Sequence, residues 1–153
     1  MPHDQDQAEK ALNDLITTCD DSEEGYAKAA KGVHNDELRD RLTDISTRRG
    51  EFWYELRKLV SDAGAQASSD AHYGGILHRG WVDLETRLRG KDDSEILREC
   101  LDGDEGTLKH YDHALEQVLS DHVRAIVSRH RNNVQTDIDS LQTRRSRGKA
   151  QHA

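Results

Sequence analysis

The sequence predicts an all-α fold in which four long helices form a bundle of two similar hairpins. Apolar residues recur three and four positions apart over long stretches, which is the spacing of one helix face. The single proline is Pro2, so no proline interrupts a helix after the start of the chain. Aromatic residues make up only 5% of the chain, and long β-branched runs are absent, which disfavours an all-β fold.

Length and charge indicate one domain with an acidic surface. The 153 residues fit a single domain, 1–153, with an ordered core at about 5–144. The formal charge of −8 repels phosphate backbones, so a nucleic-acid partner is not expected. We expect the basic C-terminal tail to be a frayed, solvated end, with Arg144, Arg145, Arg147 and Lys149.

The chain shows neither a basic-then-apolar N-terminal signal nor an apolar run of the roughly 20 residues that a membrane span requires. We therefore expect a cytoplasmic protein without a membrane partner. In that compartment Cys19 and Cys100 would stay reduced. Both are expected to be small core residues rather than nucleophiles.

Two helices are predicted for the first half, at about Gln5–Val33 and Asp36–Ala63. Asn35 or Asp36 is expected to cap the second, because such side chains accept hydrogen bonds from a helix N-terminus. The first apolar face would hold Ala8, Leu12, Leu15, Ile16, Cys19, Tyr26, Ala30 and Val33. The second would hold Leu38, Leu42, Ile45, Phe52, Leu56, Leu59 and Val60.

The second half begins with a linker at Gly64–Asp70 and a short helix at about Gly74–Leu88, followed by long helices at about Ser94–Leu119 and Asp121–Arg144. The short helix has an apolar stripe of Ile76, Leu77, Trp81, Leu84 and Leu88. The face of the third long helix would hold Ile96, Leu97, Cys100, Leu101, Leu108, Tyr111, Leu115 and Val118. That of the fourth would hold Val123, Ile126, Val127, Val134, Ile138 and Leu141.

An internal repeat relates the two halves. A shift of 81 residues places Cys19 on Cys100 and Gly25 on Gly106, and a glycine inside both helices is too costly to be explained well by chance. A connection of roughly 30 residues with its own helix can run the length of a bundle. The second hairpin would then start from the same end as the second helix, which is the plan of ferritin-like bundles.

Four polar residues occupy inward positions, each filling a gap between apolar neighbours three or four residues away. We predict that they meet near the middle of the bundle as a buried polar cluster of Glu23, Arg49, Asp104 and His130. A buried carboxylate has to be paired or ligate a metal. Two interpretations of the cluster are therefore open.

The first interpretation is a metal site for iron or zinc, with Glu23, Asp104 and His130 as ligands and Glu51 and Glu55 in reserve. Ferritin-like di-iron sites use one Glu from each of two helices and Glu-x-x-His from each of the other two. The acidic pair on the first and third long helices matches the first half of that rule. Neither of the other two helices carries Glu-x-x-His.

The second interpretation, which is favoured, is a set of ion pairs without a cofactor. A fixed cation beside metal ions is costly, but Arg49 beside Glu23 would make a two-pronged ion pair. His130 would then pair with Asp104. His110 and His113 lie three apart on the third long helix and are expected to face outward.

Three aromatic residues are candidate anchors for an interface. Trp53 and Tyr54 follow Phe52 and add aromatic surface that one core does not cover. Trp81 follows Gly80, which suggests close backbone packing, so it either covers the bundle as a lid or joins two subunits. We hypothesise a homodimer through these aromatics.

With these motifs in view, the chain resembles the bacterial ferritin-like four-helix-bundle proteins catalogued as a domain of unknown function. The resemblance covers about Asn13 to Leu141. It rests on Cys19–Tyr26, Arg49 with Phe52 and Glu55–Leu56, Leu77–Trp81, and Cys100–Tyr111. It implies a ferritin-like bundle in the bacterial cytosol and no established activity. In that family helix four usually carries a His where this chain has Ile138, and this departure counts against a metal site.

Two functions follow as hypotheses. The first is a non-enzymatic, stress-associated scaffold that acts by self-association or through a protein partner. The second is a metal-binding or redox bundle that uses the inward carboxylates and His130. The incomplete ligand set and Arg49 favour the first.

Overall fold

The computed structural model describes residues 2–64, 81 and 83–151, and within these residues the chain is helical with no strand. The helices are α1 (Pro2–Gly32), α2 (Asp36–Asp62), α3 (Leu84–Leu88), α4 (Asp93–Leu115) and α5 (Asp121–Gln151). This confirms the all-α prediction. None of these helices combines the length and the apolar character that a membrane crossing needs.

The side chain of Asp93 holds the start of α4 against the turn between α1 and α2, and this contact is called the clamp below. The Asp93 carboxylate accepts hydrogen bonds from the backbone N–H groups of His34 (2.8 Å) and Asn35 (3.0 Å). Asn35 in turn caps α2 by accepting from the Leu38 N–H at 2.8 Å, which resolves the choice between Asn35 and Asp36. Helices α2 and α4 therefore start at the same end of the molecule, as the repeat predicts.

At the opposite end, Leu59 and Val60 of α2 pack in one apolar cluster with Leu12 of α1 and Ala114 of α4. The end of α2 and the start of α4 therefore lie at opposite ends of the molecule. A second cluster lies nearer the clamp and contains Tyr26, Leu42, Trp81, Cys100 and Leu141, among others. The polar centre described below lies among these packed helices.

The inner face of α4 differs from the prediction. Val118 is 68% exposed and lies beyond the helix, while Leu108 and Leu115 are only partly buried. The buried stripe instead contains small and polar residues, namely Gly103, Asp104, Thr107 and His110 beside Cys100, Tyr111 and Ala114. The expectation that His110 faces outward is therefore wrong, whereas His113 is exposed. A face centred on Leu108 and Leu115, which are only partly buried, places His110 outward, and this is why the prediction failed there.

The boundary between α4 and α5 also differs, because α4 ends at Leu115 rather than near Leu119. Arg124 of α5 donates to the carbonyl oxygens of Leu115 and Gln117, both at 2.9 Å. These bonds satisfy carbonyl groups at the end of α4 that have no partner within the helix. Ser120 then starts α5 by accepting from the Val123 N–H at 3.2 Å.

The basic C-terminal segment does not fray at Arg144, as the sequence analysis expected, because α5 continues to Gln151. Arg144 donates to Glu37 (3.0 Å) and Asn35 (3.1 Å), and Arg145 donates to the Ser94 carbonyl (3.0 Å). These contacts fix the helix against the clamp at the α1–α2 turn. The side chain of Lys149 lies outside the described residues.

The crossover is described only in part. Gly64 ends α2 with a left-handed φ of 78°, while the rest of the linker and residues 74–80 of the predicted short helix lie outside the described residues. Of that helix the structure describes α3, whose Leu84 is buried. A capping box between Asp92 and Glu95 then starts α4.

Candidate functional site

A buried arginine forms the centre of the site. Arg49 of α2 lies between the buried Ile45 and Phe52, and its side chain has no exposed surface. Its two terminal nitrogens donate to the two carboxylate oxygens of Asp104 on α4, at 2.6 Å and 2.9 Å. Such a paired contact is the geometry in which arginine holds a carboxylate most firmly.

A second carboxylate completes the ionic centre. Asp137 of α5 accepts from Arg49 Nη2 at 3.1 Å and from Arg48 Nη2 at 2.8 Å. Two arginines and two aspartates therefore meet with no net charge. Burial alone would lower the pKa of Arg49, but the Asp104 carboxylate holds that pKa well above its ordinary value. The centre is an ion-pair network that joins α2, α4 and α5.

Tyr26 adds α1 to this centre. Its hydroxyl donates to Asp104 Oδ2, and its ring lies 5.2 Å from the carbon of the Arg49 guanidinium. Burial and the Asp104 carboxylate raise the pKa of Tyr26 well above its ordinary value, so the hydroxyl stays protonated and keeps donating. Asp104 thus contacts a residue from each of α1 and α2.

Trp81 covers the centre from the crossover. Its ring lies 5.2 Å from the Tyr26 ring, and its indole nitrogen donates to Thr107 at 3.3 Å. The six-membered part of the indole lies against Gly25 of α1 and Gly103 of α4 so closely that an added Cβ would stand 2.2 Å and 2.5 Å from ring carbons. Trp81 therefore packs over the polar centre within this chain, and its part in an interface between two chains stays a prediction.

These contacts show that the glycines aligned by the repeat do not have the same structural role. The shift of 81 residues aligns Gly25 with Gly106, but a Cβ on Gly106 would meet nothing within 4 Å. Gly103 is the residue that matches Gly25 in function, since both make room for Trp81. Cys19 and Cys100, which the same shift aligns, are both free and fully buried.

A second polar chain starts at His130 of α5. Its ring stacks on Phe52 with centroids 4.0 Å apart, and its Nδ1 lies 3.1 Å from the Tyr111 hydroxyl. On the other side, Nε2 lies 3.2 Å from Glu55 Oε1, and Arg129 donates to the second oxygen of Glu55. Burial lowers the pKa of His130 to about 4, so the ring is neutral at pH 7.

Cys19 ends this chain inside the protein. Its sulfur lies 3.1 Å from the Tyr111 hydroxyl, and neither residue has exposed surface. Burial raises the pKa of Cys19 to about 12, which keeps the thiol protonated. A continuous series of hydrogen bonds therefore runs from this thiol through Tyr111 and His130 to Glu55, whose side chain is 36% exposed.

The four residues predicted to meet are only partly brought together. Arg49 joins Asp104 rather than Glu23, and His130 joins Glu55 and Tyr111 rather than Asp104, so both predicted pairings are wrong. Glu23 is half-buried at the α1–α2 contact, with its carboxyl 3.0 Å from where a Cβ on Gly50 would stand. Tyr26 is the α1 side chain that reaches Asp104 in its place.

The proposed metal ligands do not gather into a site. In the part of the chain that the structure describes, no group of three or more His, Cys, Asp or Glu side chains is placed to hold a metal ion. Glu51 is exposed, and Glu55 is engaged by Arg129 and His130. The oxygens of Asp104 accept from Arg49 and Tyr26, so the donor set does not fit a ferritin-like di-metal centre.

Sequence reasoning missed Arg48 and Asp137 as members of the centre, and of these two only Asp137 is buried. Asp137 lies three residues after Val134 and four before Leu141, a spacing that places it on the buried face of α5. Its inward position could therefore have been identified from periodicity.

The three aromatic candidates differ in their exposure. Trp81 is buried, while Tyr54 is 72% exposed and the half-buried Trp53 ring packs against it.

Comparison with known proteins identifies the family of this chain but does not indicate an activity. No curated protein matches this chain. A family described as a domain of unknown function, DUF2383, matches residues 7–117. The matched region contains Tyr26, Arg49 and Asp104, and it ends before α5, which supplies His130 and Asp137. Because the match spans well over half of the chain, this protein belongs to the DUF2383 family of domains of unknown function.

Proposed function

We propose that this protein is a ferritin-like four-helix bundle that serves as a non-enzymatic scaffold and has an ion-paired centre in place of a metal site. The ferritin-like assignment is supported by the two hairpins and by a crossover that returns α4 to the end where α2 begins. The scaffold role is carried by one observation, the fully buried guanidinium of Arg49 bonded to Asp104 and Asp137.

The charge of Arg49 argues against a metal ion at this position. A divalent cation bound by Asp104 would lie beside a fixed positive charge and would compete with it for the same oxygens. Displacing Arg49 would leave a buried guanidinium without its partner, which costs several kcal/mol. Proteins that bind metals through carboxylates in a helix bundle avoid that conflict by supplying acids and histidines only.

The centre is suited to specifying how the helices align. A buried ion pair adds little net stability relative to well-packed apolar residues, because removing two charges from water offsets their attraction. It does penalise any arrangement that separates the partners. Arg49, Asp104 and Asp137 come from three helices, so a one-turn slip of any of them would leave a buried charge unpaired.

Metal titration tests the proposal. Untagged protein purified without chelator is titrated with Fe²⁺ under anaerobic conditions and with Zn²⁺, alongside Asp104→Asn and a matched control, Asp102→Asn, which alters an exposed acid on the same helix. We expect no stoichiometric binding by the wild type. Near-stoichiometric metal that is lost in Asp104→Asn and kept in Asp102→Asn, with helix content unchanged, would favour the metal-binding alternative with Glu23 and His130.

Self-association is the part of the proposal that concerns a partner. Tyr54 exposes most of its ring next to Trp53, on the outer face of α2, and Arg57 stacks over the Trp53 ring at 4.8 Å. We propose that this aromatic surface pairs with a second copy of the chain. Sedimentation equilibrium at micromolar concentration should give a dimer that Tyr54→Ser weakens, and a monomeric mass for the wild type would remove this part of the proposal.

A further inference from the structure

The hydrogen bonds between Glu55 and Cys19 have one consistent direction. Burial alone would raise the pKa of Glu55, but hydrogen bonds from Arg129 and His130 lower it, so Glu55 is a carboxylate at pH 7. A carboxylate only accepts, and the neutral His130 must therefore place its proton on Nε2. Its Nδ1 is then bare and accepts the Tyr111 hydroxyl proton, while the Tyr111 oxygen accepts from the Cys19 S–H.

We propose that Tyr111 is a redox-active residue that gives one electron to an outer-sphere one-electron oxidant while its hydroxyl proton passes to His130. The products of this step are a neutral tyrosyl radical, an imidazolium at His130 and the reduced oxidant. Cys19 then transfers a hydrogen atom from its thiol to the Tyr111 oxygen, which restores the tyrosine and leaves a thiyl radical on Cys19. We call the hydrogen-bonded series of Cys19, Tyr111, His130 and Glu55 the relay. It lies beside the Arg49 centre and does not depend on the scaffold role.

The surroundings of Tyr111 suit this step. The bare Nδ1 of His130 stands 3.1 Å from the hydroxyl, and the charge that His130 gains is balanced by the Glu55 carboxylate at 3.2 Å. Proton transfer over such a contact avoids forming a buried tyrosyl cation or a buried tyrosinate. Burial also disfavours the imidazolium of His130, and the Glu55 carboxylate offsets part of that cost. Burial also keeps Cys19 protonated, so it acts here as a hydrogen donor rather than as a thiolate nucleophile.

Tyr26 is equally buried but lacks this arrangement. Its hydroxyl donates to Asp104, and both oxygens of that carboxylate already accept from Arg49. The positive charge of Arg49 next to the Tyr26 ring further opposes loss of an electron. The relay therefore singles out Tyr111 among the two buried tyrosines that the structure describes.

Cys100 provides a matched control, because it is as buried as Cys19 but has no hydrogen-bond partner among the described residues. The folded protein is treated with a photo-oxidised ruthenium(III) polypyridyl complex, and oxidation of both thiols is measured by peptide mass spectrometry. We expect Cys19 to be oxidised severalfold faster than Cys100. Alkylation by N-ethylmaleimide, which reports access to the thiols, should be equally slow for both.

Variants of the relay decide the outcome. Tyr111→Phe should reduce Cys19 oxidation to the rate of Cys100, and Glu55→Gln, at a partly exposed position that should tolerate the change, should slow it without altering alkylation. Asp102→Asn, which removes the charge of an exposed acid outside the relay, should leave the selectivity unchanged. Equal oxidation of the two thiols in the wild type, or undiminished Cys19 oxidation in both relay variants, would overturn the proposal.

Discussion

The fit of Trp81 against two helical glycines gives a sharp prediction. In Gly25→Ala the new Cβ would stand 2.2 Å from a ring carbon of Trp81, more than 1 Å short of the 3.4–4 Å of ordinary contact. Overpacking of this kind costs about 1–3 kcal/mol, while alanine in place of glycine inside a helix returns about 1 kcal/mol. We expect a net loss of about 2 kcal/mol, since the clash involves a rigid ring.

Gly103→Ala should behave in the same way, because its Cβ would stand 2.5 Å from the same ring. Gly106→Ala is the matched control, three residues later on the same helix and with open space around its Cβ. That variant should be stabilised by about 0.5–1 kcal/mol, through helix propensity alone. The Gly25 and Gly106 variants should therefore differ by roughly 3 kcal/mol.

Urea unfolding followed by circular dichroism measures these differences. Fluorescence in a Trp53→Phe background, where Trp81 is the remaining tryptophan, reports whether the ring has moved. Expulsion of an aromatic ring would forfeit at most about 4–6 kcal/mol of burial, so a shift within the slot is expected rather than release. If the Gly25 and Gly106 variants were equally stable, the close packing of Trp81 on α1 would be refuted.

Three further predictions concern the polar residues. Burial lowers the pKa of His130 in the folded chain to about 4 from its ordinary 6.5, so the unfolded chain binds more protons between these pH values. The free energy of unfolding should therefore fall by roughly 3 kcal/mol as the pH drops from about 6.5 to 4. In His130→Gln this part of the pH dependence of unfolding should vanish. Asp104→Asn should cost about 3–5 kcal/mol in urea unfolding, because it removes the nearer of the two carboxylates that pair with the buried Arg49. Combining it with Arg49→Met should cost less than the sum of the single changes, and additive costs would refute the coupling. Asp92→Ala should cost about 1 kcal/mol in thermal or urea unfolding by removing the cap of α4, and no loss would contradict the capping box.

Local signals account for the parts of the fold that were predicted well. The apolar face of α2 needs only its own periodicity, and all seven of its predicted residues are buried. The cap expected at Asn35 or Asp36 places the start of α2, which begins at Asp36. Periodicity also identified Arg49 and Asp104 as inward residues, because a polar residue in the gap of an apolar stripe must point the same way as its neighbours.

The identity of each partner was decided by the tertiary structure. The helical spacing shows that a side chain points into the bundle, but it does not show which side chain of another helix it contacts. The distance between the helices and the reach of Tyr26 determine that Arg49 contacts Asp104 and Asp137 rather than Glu23. The alignment of the repeat likewise could not reveal that Gly103, and not Gly106, makes room for Trp81, since that depends on where the crossover returns. The amino-acid sequence by itself determined the buried face of α2, through spacing along a single helix. The inward position of His110 on α4 and the pairing of charges across helices depended on packing in three dimensions.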